Sequence, residues 1–480
     1  MASEKGQAGW ADTSRPRHGE HQPLRLWRAL EPIARRFLPR GAIVLSVLVF
    51  GNYLLAYGRN FIFARTYGAG SDLDAYNAAF VIPELTLGVL VASGLAAPFV
   101  PLFVGLKRED PAAAEAFGQT ILTGAVIVMA AAAVVLFVLA PQTAGLIAPG
   151  FDSRQRELYV SLFRLMLLTP VLFAASTALG EVLIAERRFF YYGLAPALYQ
   201  AGIIVGTVTL SDAIGIHAAA VGAVLGATLY LGIRIWGARR AGFRVRPRLG
   251  FRTPEIGAFV RLMLPKMVSQ PTEQLTFLFF TAVASGLAAG SISILNFARD
   301  FPSAWVSLIG VSFSLAAFPT LSAAFAAGER RRFLSVLGSN VLSISVLTIG
   351  AAVGLIVFGR LVLGLYRGGA FDEADLNATT MVLSAFAVAE PLESLAHLLS
   401  RAIFATRHTL LQVAASLVAF ATTIGATVAL VPQFEILAIP IGFTAGMLVR
   451  VLLLAAVLAW RLSRFRADEP GPSGARASLP

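Results

Sequence analysis

The chain has 480 residues, of which 57% are hydrophobic and 14% charged, with 39 Lys and Arg against 27 Asp and Glu for a net charge of +12. Soluble domains carry about 25% charged residues, so this composition excludes a water-soluble fold, a disordered chain and a coiled coil. The apolar residues fall in blocks of about 20, the length that crosses bilayer hydrocarbon, and the chain reads as an all-α polytopic membrane protein. There is no cysteine, hence no disulfide, thiolate nucleophile or Cys-ligated metal. The five histidines, His18, His21, His217, His397 and His408, are too scattered for a clustered metal site, so neither a metal nor another cofactor is expected.

In chain order, residues 1–40 are polar and contain Pro and Arg without a cleavable apolar segment, which predicts a retained, disordered basic tail. Twelve apolar spans follow, at 41–66, 75–105, 117–140, 158–185, 192–211, 213–235, 256–287, 291–326, 333–364, 378–405, 409–431 and 436–461. Pro83, Pro98, Pro101, Pro170, Pro319 and Pro391 lie inside spans and predict tilted or kinked helices. With both termini placed in the cytoplasm, the segments on that side hold 27 of the 39 Lys and Arg, whereas the opposite loops hold only Arg154, Arg156 and Arg367. That asymmetry satisfies the positive-inside rule at every loop. The basic excess therefore reflects topology and contact with anionic lipid headgroups, not nucleic-acid binding.

An internal repeat organises the spans. Gly70-Ser71 recurs as Gly290-Ser291, and the stretch from Leu179 to Arg187 parallels that from Leu399 to Arg407, both at an offset of 220; Pro101-Leu102 and Pro319-Thr320 differ by 218. Each half has an even number of spans, so both insert the same way around a pseudo-twofold axis along the membrane normal. The expected organisation is a six-helix lobe over 41–235, a basic cytoplasmic linker over 236–255, a second six-helix lobe over 256–462 and a cytoplasmic tail over 463–480.

Charges within spans cost at least about 2.5 kcal/mol each to insert and usually face a cavity or a partner. Arg59 and Arg65 lie six residues apart in the first span, about 9 Å along a helix. They either line a broad cavity wall or, Arg65 especially, reach toward headgroups. Asp74 opens the second span as a helix cap or a partner for an arginine, and Glu84 follows Pro83. Glu273 lies in the seventh span, and Arg299-Asp300 interrupts the eighth, as a cavity element or a local ion pair. Glu390, Glu393, His397 and Arg401 share one face of the tenth span, either as a proton or cation relay or as an internally neutralised network. No Walker A loop, H-E-x-x-H or G-x-S-x-G signature is present, and the expectation is a gradient-driven transporter, not an enzyme.

Residues 58–103, GRNFIFARTYGAGSDLDAYNAAFVIPELTLGVLVASGLAAPFVPLF, together with LYRGGAFDEADLNAT at 365–379 and SRAIFATRHT at 400–409, resemble the MurJ/MviN-type lipid II flippases of the multidrug/oligosaccharidyl-lipid/polysaccharide exporter superfamily. The likeness runs through both halves. It implies a bacterial inner-membrane flippase that works by alternating access, with a cationic central cavity receiving the pyrophosphate-sugar headgroup of a lipid-linked cell-wall precursor. The implied partners are that lipid-linked oligosaccharide, membrane lipids and cell-wall synthesis proteins. Arg59 and Arg65 fall on the family's two first-span arginines and Asp74 on its acidic residue. The family's eighth-span arginine falls at Arg299-Asp300, although alignment back from Pro319 puts Asp300 at that position. The expected substrate-binding set is therefore Arg59, Arg65, Asp74 and Arg299, with Glu84, Glu273, Asp300, Glu390, Glu393 and His397 as coupling or gating residues. Two departures stand out. The family's second-span arginine pair is replaced by Thr86, Leu87 and Gly88, and the twelve spans leave none for the two further C-terminal helices that form a lipid-tail groove in many members. The alternatives are a flippase for another undecaprenyl-linked polysaccharide, a small-molecule exporter of the same superfamily, and a transport-inactive scaffold for envelope synthesis.

Overall fold

The computed structural model describes residues 40–269, 271–406 and 409–463. The two predicted tails and His408 lie outside this range. Helical stretches stand against all twelve predicted spans. The first half holds α1 (Arg40–Tyr67), α2 (Ser71–Leu87), α3 (Ser93–Glu109), α4 (Pro111–Val138), α5 (Ala140–Ile147), α6 (Ser153–Met166), α7 (Leu168–Ala185), α8 (Phe189–Ile214) and α9 (His217–Arg240). The second half holds α10 (Pro254–Ser269), α11 (Pro271–Ser285), α12 (Ser291–Trp305), α13 (Ser312–Ala326), α14 (Arg330–Leu363), α15 (Glu373–Ala405), α16 (Thr409–Phe434) and α17 (Ala438–Ser463). Among the described residues, nine continuous stretches are long and apolar enough to cross a membrane, and one of them, Leu410–Ser463, contains both α16 and α17. Their outer faces are apolar and open, as at Val134 and Val138 of α4 and Val357 and Leu361 of α14. A helix satisfies its own backbone polar groups, which is what permits such a face to meet lipid.

The prolines interrupt the helices at fewer places than their number suggests. Helices α3, α13 and α15 continue through Pro98, Pro101, Pro319 and Pro391. Interruptions fall at Leu167, three residues before Pro170, and at π-helical turns, Gly88–Ala92 between α2 and α3 and Val306–Val311 between α12 and α13. The two π-helical turns begin five and four residues after Pro83 and Pro302. The two turns occupy equivalent positions of the internal repeat.

The helices up to α9 pack chiefly on one another, and those from α11 onward do the same; α10 crosses between them and lies against α3. The packing scheme recurs, with α8 on α9 and α9 on α7 in the first half matched by α16 on α17 and α17 on α15 in the second. Small residues make these close approaches possible. A Cβ added at Gly202 would collide with the Gly226 backbone, and one at Gly206 with that of Gly222. At an offset of 220 from Gly222 and Gly226, Gly442 and Gly446 receive Thr427 and Thr423.

The linker is shorter and more tightly held than expected. Helix α9 runs to Arg240, and Arg234 lies within it. It is buried, donating to the Ser176 carbonyl at 2.5 Å and lying over the rings of Tyr192 and Tyr230 at 4.8 and 4.5 Å. Beyond it, the non-helical stretch to residue 253 is bound to α4. The Arg244 amide donates to Glu115 at 2.9 Å, the Arg244 carbonyl accepts from Gln119 at 2.7 Å, and the Arg248 amide donates to Thr123 at 2.9 Å.

Candidate functional site

A cavity of about 570 Å³ lies between the halves, walled by α1, α2, α7 and α8 on one side and by α11 and α12 on the other. That volume is within the range of small-molecule sites. Arg59 is at its centre. Its Nε and one terminal nitrogen donate to Asn60 Oδ1 at 3.1 and 2.8 Å, and the other donates to Gln200 Oε1 at 3.2 Å. Asn60 Nδ2 donates across the cavity to Asp300 Oδ2 at 2.5 Å, so the two halves meet through an arginine–amide–carboxylate chain. Beyond it, a smaller space of about 200 Å³ between α1 and α12 is lined by Tyr53, Tyr57, Ser303 and Ser307, with Arg59 and Asp300 shared between the two cavities.

One end of the bundle is sealed by a second set of contacts. Both carboxylate oxygens of buried Asp74 are engaged at the start of α12. One accepts from the Gly290 amide at 2.7 Å, and the other from the Ser293 amide and hydroxyl at 2.8 and 2.7 Å. A carboxylate at a helix N-terminus meets free amides and the positive end of the helix dipole together. Around this joint, Asn77 donates to Ser293 Oγ at 3.3 Å, the Ala69 amide to Asp375 at 3.2 Å and the Ala370 amide to the Arg65 carbonyl at 2.9 Å. Gly290 has φ +90, and its Cα faces the Ala69 carbonyl so closely that a Cβ would collide with it. Only glycine meets both requirements at low cost.

These positions redistribute the expected site. Arg59, Glu84 and Asp300 line the cavity. Asp74 does not: it belongs to the sealed end, and its two oxygens are fully used by the opposite half. Arg65 is also outside, because six residues beyond Arg59 the helix has reached the sealed end. There Arg65 is exposed, stacks on Phe61 at 4.3 Å and reaches the Leu365 carbonyl at 3.4 Å. Arg299 points away from the cavity, into the interior of the second half. Its guanidinium sits among Phe277, Phe443, Phe386 and Phe280 at 4.2–5.9 Å and approaches Glu393 at 3.8 Å. Adjacent helix positions differ by about 100°, and here that turn puts Asp300 in the cavity lining and Arg299 outside it. Glu390 is fully buried in the second half with neither carboxyl oxygen hydrogen-bonded, and His397 follows Glu393 by one turn; none of the three α15 residues lines the cavity. The Glu273 side chain lies outside the described residues.

The cavity is therefore not the cationic vestibule expected: among the described residues its charges are one arginine and two carboxylates. Reading only charged residues missed its uncharged lining, which includes Asn77, Tyr199, Gln274 and Asn296. The available signal was the presence of Asn and Gln inside spans, where each costs free energy to desolvate.

The lipid II flippase MurJ family model matches residues 63–470. A probable lipid II flippase MurJ of Thermotoga maritima is 26% identical over 84% of this chain and 80% of its own length. One of Rickettsia prowazekii is 23% identical over 77% and 74%. Among solved structures, a lipid II flippase MurJ in an inward closed conformation superposes with TM-score 0.75 at 20% identity, covering 88% of this chain and 90% of the other. An inward-facing multidrug resistance MATE family transporter of the MOP superfamily gives TM-score 0.73 at 15% identity, covering 89% and 99%. Because the family model spans most of the chain and the helices fold as in a solved member, this chain belongs to the lipid II flippase MurJ family.

Proposed function

We propose that the protein carries a lipid-linked cell-wall precursor of the lipid II type across the bacterial inner membrane, from the cytoplasmic to the outer leaflet. The headgroup occupies the cavity around Arg59 while the polyprenyl chain stays in lipid. The observation that supports this most is a polar cavity between the halves, closed at one end by the hydrogen bonds around Asp74 and by apolar contacts such as that of Phe61 with Tyr366. Two six-helix lobes rocking about that end would give alternating access. An unaided headgroup faces a prohibitive cost in hydrocarbon, and the cavity lowers it by supplying donors and acceptors throughout the crossing. Arginine's planar fork matches phosphate oxygens, which suits Arg59 to the linking phosphates.

Complementation of a strain depleted of its own flippase tests this reading. Rescue by the wild-type chain and at least about tenfold lower rescue by Arg59→Ala at equal membrane abundance is expected, the loss of one charge-assisted contact being worth that much. Equal rescue by both chains removes Arg59 from the mechanism, and no rescue by the wild-type chain favours a transport-inactive scaffold. A second reading, export of a cationic small molecule, is favoured by Glu84 and Asp300 outnumbering Arg59 in the cavity. Transport of a cationic dye but not of a lipid-linked disaccharide by purified protein in vesicles would establish it instead.

A further inference from the structure

We propose that the segment joining the two halves is a docking surface for the anionic phospholipids of the inner leaflet, whatever the cavity carries. Between Arg239 and Glu255 the chain holds six arginines, Arg239, Arg240, Arg244, Arg246, Arg248 and Arg252, against one carboxylate. All six are exposed, and among the described residues none of them forms an ion pair. The positive-inside rule accounts for basic residues on this side but not for how they are held. Phe243 is buried, 6.4 Å from the Phe103 ring and so close to α4 that a Cβ at Gly118 would strike it. Val245 packs on the same cluster, so Arg244 and Arg246, alternating with them, are turned outward. The hydrogen bonds of this segment to Glu115, Gln119 and Thr123 fix its backbone along α4, and Glu115 is already engaged by the Arg244 amide and by Gln119.

Depth identifies the partner. Helix α4 has 28 residues, about 42 Å of helix against about 30 Å of hydrocarbon. Val134 and Val138 are apolar and exposed at its far end, so the excess length stands out at the Pro111 end. The segment meets α4 between Glu115 and Gly124, across the boundary where headgroups give way to acyl chains. Two large apolar side chains open there, Leu249 at 72% and Phe251 at 46% exposure. Nearby on α9, Trp236 is also exposed, with Arg240 over its ring at 5.2 Å. In water such side chains cost free energy. Arginines interleaved with them fit a surface that is anionic above and apolar below. The aromatic cluster that holds Phe243 also holds α10, through Phe117 and Phe259 at 5.9 Å. Lipid bound on this segment therefore adds to the docking of α10 on the first half, and charge in the inner leaflet stabilises the fold.

The test places the full chain in vesicles of phosphatidylcholine, alone or mixed with phosphatidylglycerol. Wild type is compared with a quadruple variant, Arg244→Gln with Arg246→Gln, Arg248→Gln and Arg252→Gln, and with a control variant of another basic loop, Arg330→Gln with Arg331→Gln and Arg332→Gln. Because the chain has no cysteine, a fluorophore on Leu249→Cys reports whether this position meets acyl chains. Phosphatidylglycerol is expected to raise the thermal midpoint of wild type and control alike. The quadruple variant should need at least about tenfold more of it for the same rise, and nitroxides on the upper acyl chains should quench the fluorophore. An unchanged response of the quadruple variant, or an equal loss in the control, assigns the effect to overall positive charge and overturns the proposal. So does an equal rise in phosphatidylcholine supplied with soluble glycerol phosphate, or a fluorophore that lipid nitroxides leave unquenched. Should the quadruple variant fail to fold, the glycerol phosphate comparison and the quenching, both on chains that keep all four arginines, still decide.

Discussion

Arg59 in the first half and Arg299 in the second are both arginines within apolar helices, yet their surroundings differ in kind. Arg59 rests in carboxamides and faces an open cavity. Arg299 is enclosed by four phenylalanine rings with Glu393 as its nearest countercharge, two of its nitrogens lacking hydrogen-bond partners. An arginine set in replaceable hydrogen bonds can release them to a ligand. One packed in an aromatic cage holds helices together, since leaving would expose the rings and strip Glu393 of its countercharge. The second half therefore keeps this arginine for its own core and shows the cavity Asp300, whereas the first half offers it Arg59 and Glu84.

The largest effect should come from breaking the cage. Arg299→Gln removes the cation from four ring faces and one partner of a part-buried pair and should cost about 3 kcal/mol, seen as a lower thermal midpoint of the purified protein. Adding Glu393→Gln should recover part of that loss. If Arg299→Gln leaves stability intact and abolishes binding of a substrate headgroup, the two arginines have been assigned the wrong way round. Next comes the sealed end. Gly290→Ala forces a Cβ onto the Ala69 carbonyl at a positive φ and should cost the sealed arrangement about 2 kcal/mol. Because the chain is free of cysteine, spin labels on Asp72→Cys and Ala288→Cys would report this directly, as longer and broader distances across the joint. The smallest effect is expected at Arg65. Its exposed stacking on Phe61 is worth about 0.5 kcal/mol, so Arg65→Ala should leave complementation within about twofold of wild type. A loss matching that of Arg59→Ala would show that Arg65 enters the cavity in another conformation.

How much of this was legible beforehand varied with the kind of residue. The offset of 220 between halves, first noticed in Gly70-Ser71 and Gly290-Ser291, reappears in three dimensions as Asp74 capping the helix that begins at Ser291 and as the paired π-helical turns. Asp74 reads in the sequence either as a helix cap or as a partner for an arginine, and the structure shows it accepting from the start of a helix 216 residues away, which spacing within its own segment does not reveal. The sixth span reads as ending at 235, whereas its helix runs one more turn to Arg240, because helix ends that leave an apolar run carry no hydropathy mark. Asn77, Gln200 and Gln274 were passed over, since an uncharged amide leaves a weak mark on hydropathy even where it forms the wall of a cavity.

The sequence by itself determined that the chain is a bundle of apolar helices, because hydrocarbon thickness and backbone hydrogen bonding leave a run of apolar residues little other choice. Which way each polar side chain faces was decided only by the tertiary structure. One residue of rotation, about 100° on a helix, separates Asp300 in the cavity from Arg299 in the aromatic cage, and that rotation is set by how whole helices pack, a property no local stretch of sequence contains.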